Sequence, residues 1–245
     1  MKEKLHYWIE EYKLLLASVP ALVTSLFILS VVLMNLLANK VIFQISDFAA
    51  GDGGFLISWI PFLCMDTVTK RYGAKASIML NLLGAFINIC CVFLFSFVAM
   101  LPGNGEDFSA FNQIFGGVWF IVFGSMVAYV VSGIVNSLLN AAVGRFFRSN
   151  PDGKLAYFIR AYVSTFIGQS VDNFLFAFIV FYIFAPIYWG WGFSLLLCFG
   201  AAVCGGFLEL LMEVVFSPIG YRLVKKWDDE EFGKRWIDTH GDEIV

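Results

Sequence analysis

Two stretches of this chain, residues 76–144 and 161–221, contain no lysine or arginine. Each is long enough to cross a bilayer more than once, since roughly 20 apolar residues suffice for one helical passage. The 16 basic residues gather in groups around these stretches. The groups are Lys2, Lys4, Lys13; Lys70, Arg71, Lys75; Arg145, Arg148, Lys154, Arg160; and Arg222, Lys225, Lys226, Lys234, Arg235. Lys40 stands apart. If alternate loops face the same side, all the others fall on that side, the bias that retains basic loops in the cytoplasm. The pattern predicts an all-α integral membrane protein of the cell (inner) membrane, six transmembrane helices with both termini cytoplasmic.

Composition excludes the soluble alternative. The chain is 60% apolar and 14% charged, against about a quarter charged in soluble domains, and its apolar runs would leave no face for water. The net charge of −3 comes largely from Asp228, Asp229, Glu230, Glu231, Asp238, Asp242 and Glu243 near the C-terminus. No basic face exists outside the loops, so no nucleic-acid partner is expected. His6 and His240 are the two histidines, and Cys64, Cys90, Cys91, Cys198 and Cys204 form no C-x-x-C pair. No metal site and no cofactor are therefore expected. No phosphate-binding G-x-x-x-x-G-K-[ST] loop is present.

The predicted organisation is an amphipathic cytoplasmic segment (1–18), a six-helix transmembrane domain (19–224) and an acidic cytoplasmic tail (225–245). The N-terminus is too acidic and aromatic for a secretory leader. The spans are drawn at 19–41, 54–69, 76–101, 117–144, 161–186 and 190–223. The second is short and contains Pro61, which predicts a kinked or partly re-entrant segment lining a protein cavity. Outside loops carry Asp47 and Asp52, and an aromatic belt at Tyr188, Trp189 and Trp191.

Ionisable residues inside spans mark functional sites by default, because a carboxylate at that depth costs at least about 2–3 kcal/mol. Asp66, Asp172, Glu209 and Glu213 are the four carboxylates; Lys40 and Arg222 fall only beside span ends, so no Lys or Arg stands near mid-span to neutralise them. Gln169, Asp172 and Asn173 stand at i, i+3 and i+4 on one helical face, which Phe176 continues a turn later. Glu209 and Glu213 share another face, as do Asn35 and Asn39. This set (Asn35, Asn39, Asp66, Gln169, Asp172, Asn173, Phe176, Glu209, Glu213) is the predicted substrate site. Asn81, Asn88, Asn136 and Asn140 are read instead as interhelical hydrogen-bonding groups. Two members carry bland alternatives: Asp66 as a cytoplasmic ion pair with Lys70, Arg71 or Lys75, and Glu209 facing the Arg145–Arg160 loop cluster. A carboxylate can accept two adjacent N–H groups of a planar heterocycle while amides serve its other edge, and aromatic rings can sandwich it. No nucleophile elbow or metal-binding histidine pair supports an intramembrane enzyme, so no catalytic residues are assigned.

Three segments carry a resemblance. DGGFLISWIPFLCMDTVTKRYG (52–73) has a small-residue start, a Pro-containing apolar run, Asp-Thr and an aromatic-Gly end. FIGQSVDNFLFAFIVF (166–181) contains Ser/Gly-Gln/Asn-x-x-Asp-x-x-x-Phe, and LELLMEVVFSPIGY (208–221) closes a span before Pro218. With MNLLANKVI (34–42), these resemble the queuosine-precursor transporter family, also called the vitamin-uptake-transporter family. The resemblance implies import of a 7-deazaguanine base (queuine, or its 7-aminomethyl or 7-cyano precursor) for tRNA modification. It implies a fold similar to the substrate-binding subunits of energy-coupling-factor transporters, working alone, as a homodimer, or on an energy-coupling-factor module. Ala17-x-x-x-Ala21 resembles the motif by which such subunits dock. Another vitamin or nucleobase-like compound is the alternative substrate. The chain departs from the family in carrying Glu209 where members often have Lys, which leaves the cavity acidic and suits an amine-bearing base.

Overall fold

The computed structural model describes residues 2–37, 41–45, 49–104, 107–115, 119–147, 153–188 and 190–241. Asn39, Lys40, Asp47, Arg148 and Trp189 lie outside the described residues.

Helix α1 (Lys2–Ser18) and helix α2 (Ala21–Leu37) meet at Pro20 with a bend of 109°. Proline has no N–H and its ring clashes with the preceding turn, so one helix ends there and another starts. The Pro20 carbonyl accepts from the amides of Val23 and Thr24, opening α2. Ala17 and Ala21 consequently stand on different helices, and the four-residue spacing does not place them on one docking face.

The first span was expected to run to Val41. It ends at Leu37, and the chain forms an antiparallel hairpin of β1 (Val41–Ile45) and β2 (Ala49–Asp52). The run VIFQI is β-branched and aromatic, so it suits a strand as well as a helix. Apart from this short hairpin the described residues are helical, as the all-α expectation has it.

Helix α3 (Phe55–Met100) is a hairpin in its own right. Gly73 has φ 85° and ψ 167°, a conformation open essentially to glycine alone. It divides α3 into 55–72 and 74–100, which fold back on each other: Ser77 Oγ donates to the Met65 carbonyl at 3.3 Å. The loop expected between the second and third spans is thus compressed to a single residue. Pro61 sits within the first half, and Gly73 is where the non-helical backbone falls. The first half is helical through 72.

Helix α4 (Ser109–Phe115) precedes α5 (Trp119–Gly144). Helix α6 (Lys154–Phe176) continues through a π-helical stretch (Ala177–Phe184) into α7 (Ala185–Tyr188). Helix α8 (Leu195–Asp229) starts on a Ser194 cap, whose hydroxyl accepts from the Leu197 amide at 3.1 Å. Among the described residues, four helices are long and apolar enough to cross a membrane, or five if the bent α1–α2 pair is one span. Side chains such as Phe86, Phe93, Phe97, Leu196 and Val215 are exposed on the outside, while Asp66, Asn136, Asn140, Gln169, Glu209 and Glu213 are buried within. The arrangement is inverted relative to a soluble protein, as lipid requires.

The acidic C-terminal segment is folded. Gly233 (φ 71°) turns the chain into α9 (Lys234–His240). Trp236 is fully buried and donates to the Tyr72 carbonyl at 2.9 Å. His240 stacks on Trp236 and meets Glu11 at 3.1 Å, while Lys75 pairs with the same Glu11 carboxylate at 3.0 Å. Arg71 binds Asp228 at 2.5 Å and the carbonyls of Trp227 and Phe232. Helix α1, the end of α8 and α9 therefore meet at the Gly73 turn.

Candidate functional site

Helices α3, α5, α6 and α8 converge on a polar interior. At one height stands Asp66, 1% exposed. Its Oδ1 accepts from Asn136 Nδ2 (3.1 Å), Asn140 Nδ2 (2.8 Å) and Ser164 Oγ (3.2 Å), and its Oδ2 from Thr165 Oγ1 (3.2 Å). Ser164 shares its hydrogen with the Ala161 carbonyl at 3.0 Å. Arg160 orients the network from below: its Nε donates to the carbonyl and to the side-chain oxygen of Asn140, both at 3.1 Å. With its oxygen so engaged, the Asn140 amide nitrogen must face Asp66. Asp66 thus ties three helices through neutral donors. It is not an ion pair with the neighbouring basic residues: Arg71 and Lys75 pair with Asp228 and Glu11.

Arg160 also corrects the expectation that no cation lies within the bundle. It is 3% exposed and sits one residue outside the span as drawn. Asn136 and Asn140 do bond between helices, and the pairing with Asp66 is what their spacing alone could not reveal.

Further along α6, the predicted stripe points between α5 and α8. Asp172 accepts from Ser132 Oγ on α5 at 2.7 Å. On the α8 side, a β-carbon added to Gly205 would lie 2.6 Å from the Asn173 amide nitrogen, so glycine there admits the amide. Asn173 Nδ2 also donates to the Gln169 carbonyl at 2.9 Å. Gln169 lies one turn beyond Thr165 and is buried, yet its amide nitrogen has no hydrogen-bond partner among the described residues. Phe176 meets Phe181 edge-on at 5.8 Å. The π-helical stretch begins immediately after it, and such departures recur at functional sites.

On α8, Glu209 accepts a short hydrogen bond from Ser58 on the first half of α3. Beside them Trp59 and Phe216 stack face to face, centroids 3.6 Å apart, closing the α3–α8 seam. Glu213 is 0% exposed, within electrostatic range of Asp66 and Glu209, and neither of its oxygens has a partner among the described residues. Asn35 belongs elsewhere: it accepts from Ser125 at 2.6 Å and ties α2 to the far part of α5. The structure so gathers Asp66, Gln169, Asp172, Asn173, Phe176, Glu209 and Glu213 around one interior and leaves Asn35 at its edge. Ser58, Ser132, Ser164, Thr165, Tyr157 and Arg160 belong to the same interior. Hydroxyl residues are too common in apolar helices for sequence to single them out.

No group of three or more His, Cys, Asp or Glu that could hold a metal occurs among the described residues. Buried amides and carboxylates facing one another can instead take up a polar organic molecule through directional hydrogen bonds.

An apolar outer shell around such an interior defines a multi-pass membrane protein. The chain belongs to the vitamin-uptake-transporter family: the family model described as "Putative vitamin uptake transporter" matches residues 52–223. That match runs from β2 into α8, well over half the chain, and contains every gathered site residue. Neither a curated protein nor a solved structure matches the chain.

Proposed function

We propose that this transporter imports a 7-deazaguanine base, a queuosine precursor, through a bundle crossing the membrane six times. The six spans are α2, the two halves of α3, α5, the continuous α6–α7 body and α8. The cytoplasmic placement of both termini is supported by the meeting of α1, the Gly73 turn and α9 at one end, together with their basic groups.

The observation that carries the substrate reading is the α6 face. Asp172 offers a carboxylate to paired ring and exocyclic N–H groups, Gln169 presents an amide donor without a partner among the described residues, and Phe176 ends the face with a flat ring. Asp66 and Glu209 make the surroundings acidic. Queuine and the 7-aminomethyl base carry amines that are protonated at neutral pH, and such surroundings favour them over the 7-cyano compound.

Uptake of labelled queuine into cells unable to make the precursor tests the reading, together with thermal stabilisation of the purified protein by the three bases. Uptake dependent on this chain and stabilisation by the amine-bearing bases are expected. Absence of both, in a protein that is inserted and monodisperse, would refute it.

A further inference from the structure

Glu213 sits at the heart of the bundle with two carboxyl oxygens that the described residues leave without a donor. Cys64 and Asp66 on α3 and Tyr157 on α6 lie within electrostatic range of it, and α8 adds Glu209 one turn away. Tyr157 Oη is itself buried and without a partner among the described residues. It points at α8: a β-carbon on Gly220 would lie 2.1 Å from it. Arg160 is near enough to act on Tyr157, but its Nε is committed to Asn140.

An ionised carboxylate with no donor, beside two other carboxylates and sealed from water, is the costliest form this group can take. A neutral carboxylic acid avoids most of that cost and needs nothing the site lacks. Asp66 shows the alternative, since donors from two other helices meet its oxygens.

We propose that Glu213 is a proton-binding site, occupied in this closed arrangement, and that its loading and unloading couple substrate uptake to inward proton movement. The step is a simple acid dissociation. As α8 parts from α3 and α6 on the cytoplasmic side, water enters, the O–H bond breaks, the electron pair stays on the carboxylate and the proton goes to water. Proton binding stands independently; its coupling to uptake rests on the transport reading above.

Infrared spectra of the purified full chain without substrate read the first part. At neutral pH a carboxylic-acid C=O band is expected that disappears in Glu213→Gln and shifts in Tyr157→Phe. A spectrum unchanged by Glu213→Gln, or a band seen only on acidification, overturns the proposal. Stabilisation by sodium but not choline chloride at fixed pH, lost in Glu213→Gln, would also overturn it by making the ligand a metal cation.

Proteoliposomes with labelled queuine read the second part. An inward proton gradient is expected to raise accumulation by about tenfold per pH unit for one coupled proton. Wild-type protein that exchanges labelled for unlabelled queuine but ignores the gradient overturns the coupling. Protein that does neither refutes the transport reading, while the infrared band still decides whether Glu213 holds a proton.

Discussion

Asp66 and Glu213 are carboxylates sealed in the same bundle, and the chain provides for them in opposite ways. Around Asp66, α5 and α6 supply two amides and two hydroxyls, with Arg160 fixing the orientation of one amide. Around Glu213 no described side chain donates. A fully satisfied buried network rigidifies and specifies a packing; an unsatisfied one is tolerated where function requires it. We therefore propose that Asp66 serves architecture, and that Glu213 with the α6 stripe acts on something that comes and goes.

The sharpest way to break that comparison is Asp66→Ala. It leaves Asn136, Asn140, Ser164 and Thr165 facing a void, and each buried donor left unsatisfied costs about 1–3 kcal/mol. Loss of monodispersity and a large drop in Tm are expected, without rescue by added base. Near-wild-type stability would show that Asp66 is no hub and return it to the substrate site.

Asp172→Asn should have the next largest effect, on uptake instead of folding. Asparagine keeps the shape and can still accept from Ser132, but it loses the charge and one acceptor for adjacent N–H groups. A loss of about 1.5–3 kcal/mol per charged hydrogen bond corresponds to more than tenfold in uptake. Surface expression and thermal stability measured alongside should remain normal, because removing a charge from lipid depth does not impede insertion.

The two halves of the comparison were unequally legible in sequence. Gln169, Asp172 and Asn173 declare themselves because three polar residues at helical spacing put one costly polar face on an otherwise apolar run. The donors of Asp66 lie on two other helices, so nothing local announces them. Asn136 and Asn140 are visible as a pair without a partner, and Arg160 falls just outside the apolar run. Most helices follow from apolar length and basic punctuation. The hairpin does not, because VIFQI suits either state. Nor does the docking of α9, because Trp236 and His240 find their partners, Tyr72 and Glu11, far away in the sequence. Pro20 is a readable break, and the drawn boundary between the N-terminal segment and the first span falls beside it.

A smaller effect is expected of Glu209→Lys. Glu209 bonds Ser58 on the first half of α3 and adds negative charge near Glu213. An ammonium in its place repels a protonated amine, so competition for labelled queuine should move toward the neutral 7-cyano base by several-fold, on the order of 1 kcal/mol. Identical competition by both ligands in both proteins would remove Glu209 from selectivity.

The least perturbing change tests the comparison most directly. Glu213→Leu deletes two oxygens that have no described donor and replaces them with apolar volume of similar size. Substituting apolar groups for buried ionic ones is often neutral or stabilising, because desolvation no longer has to be met. Stability is expected to stay within about 1 kcal/mol of wild type, or to rise, since no hydrogen bond to a described residue is broken. Leucine at Asp66, by contrast, should unfold the protein, since it strands the donors that converge there. Thermal denaturation of the two variants in one detergent gives the answer as a difference, which cancels effects of the micelle. If Glu213→Leu falls as far as Asp66→Leu, Glu213 is held by the fold, and its lack of described donors is not where the function lies.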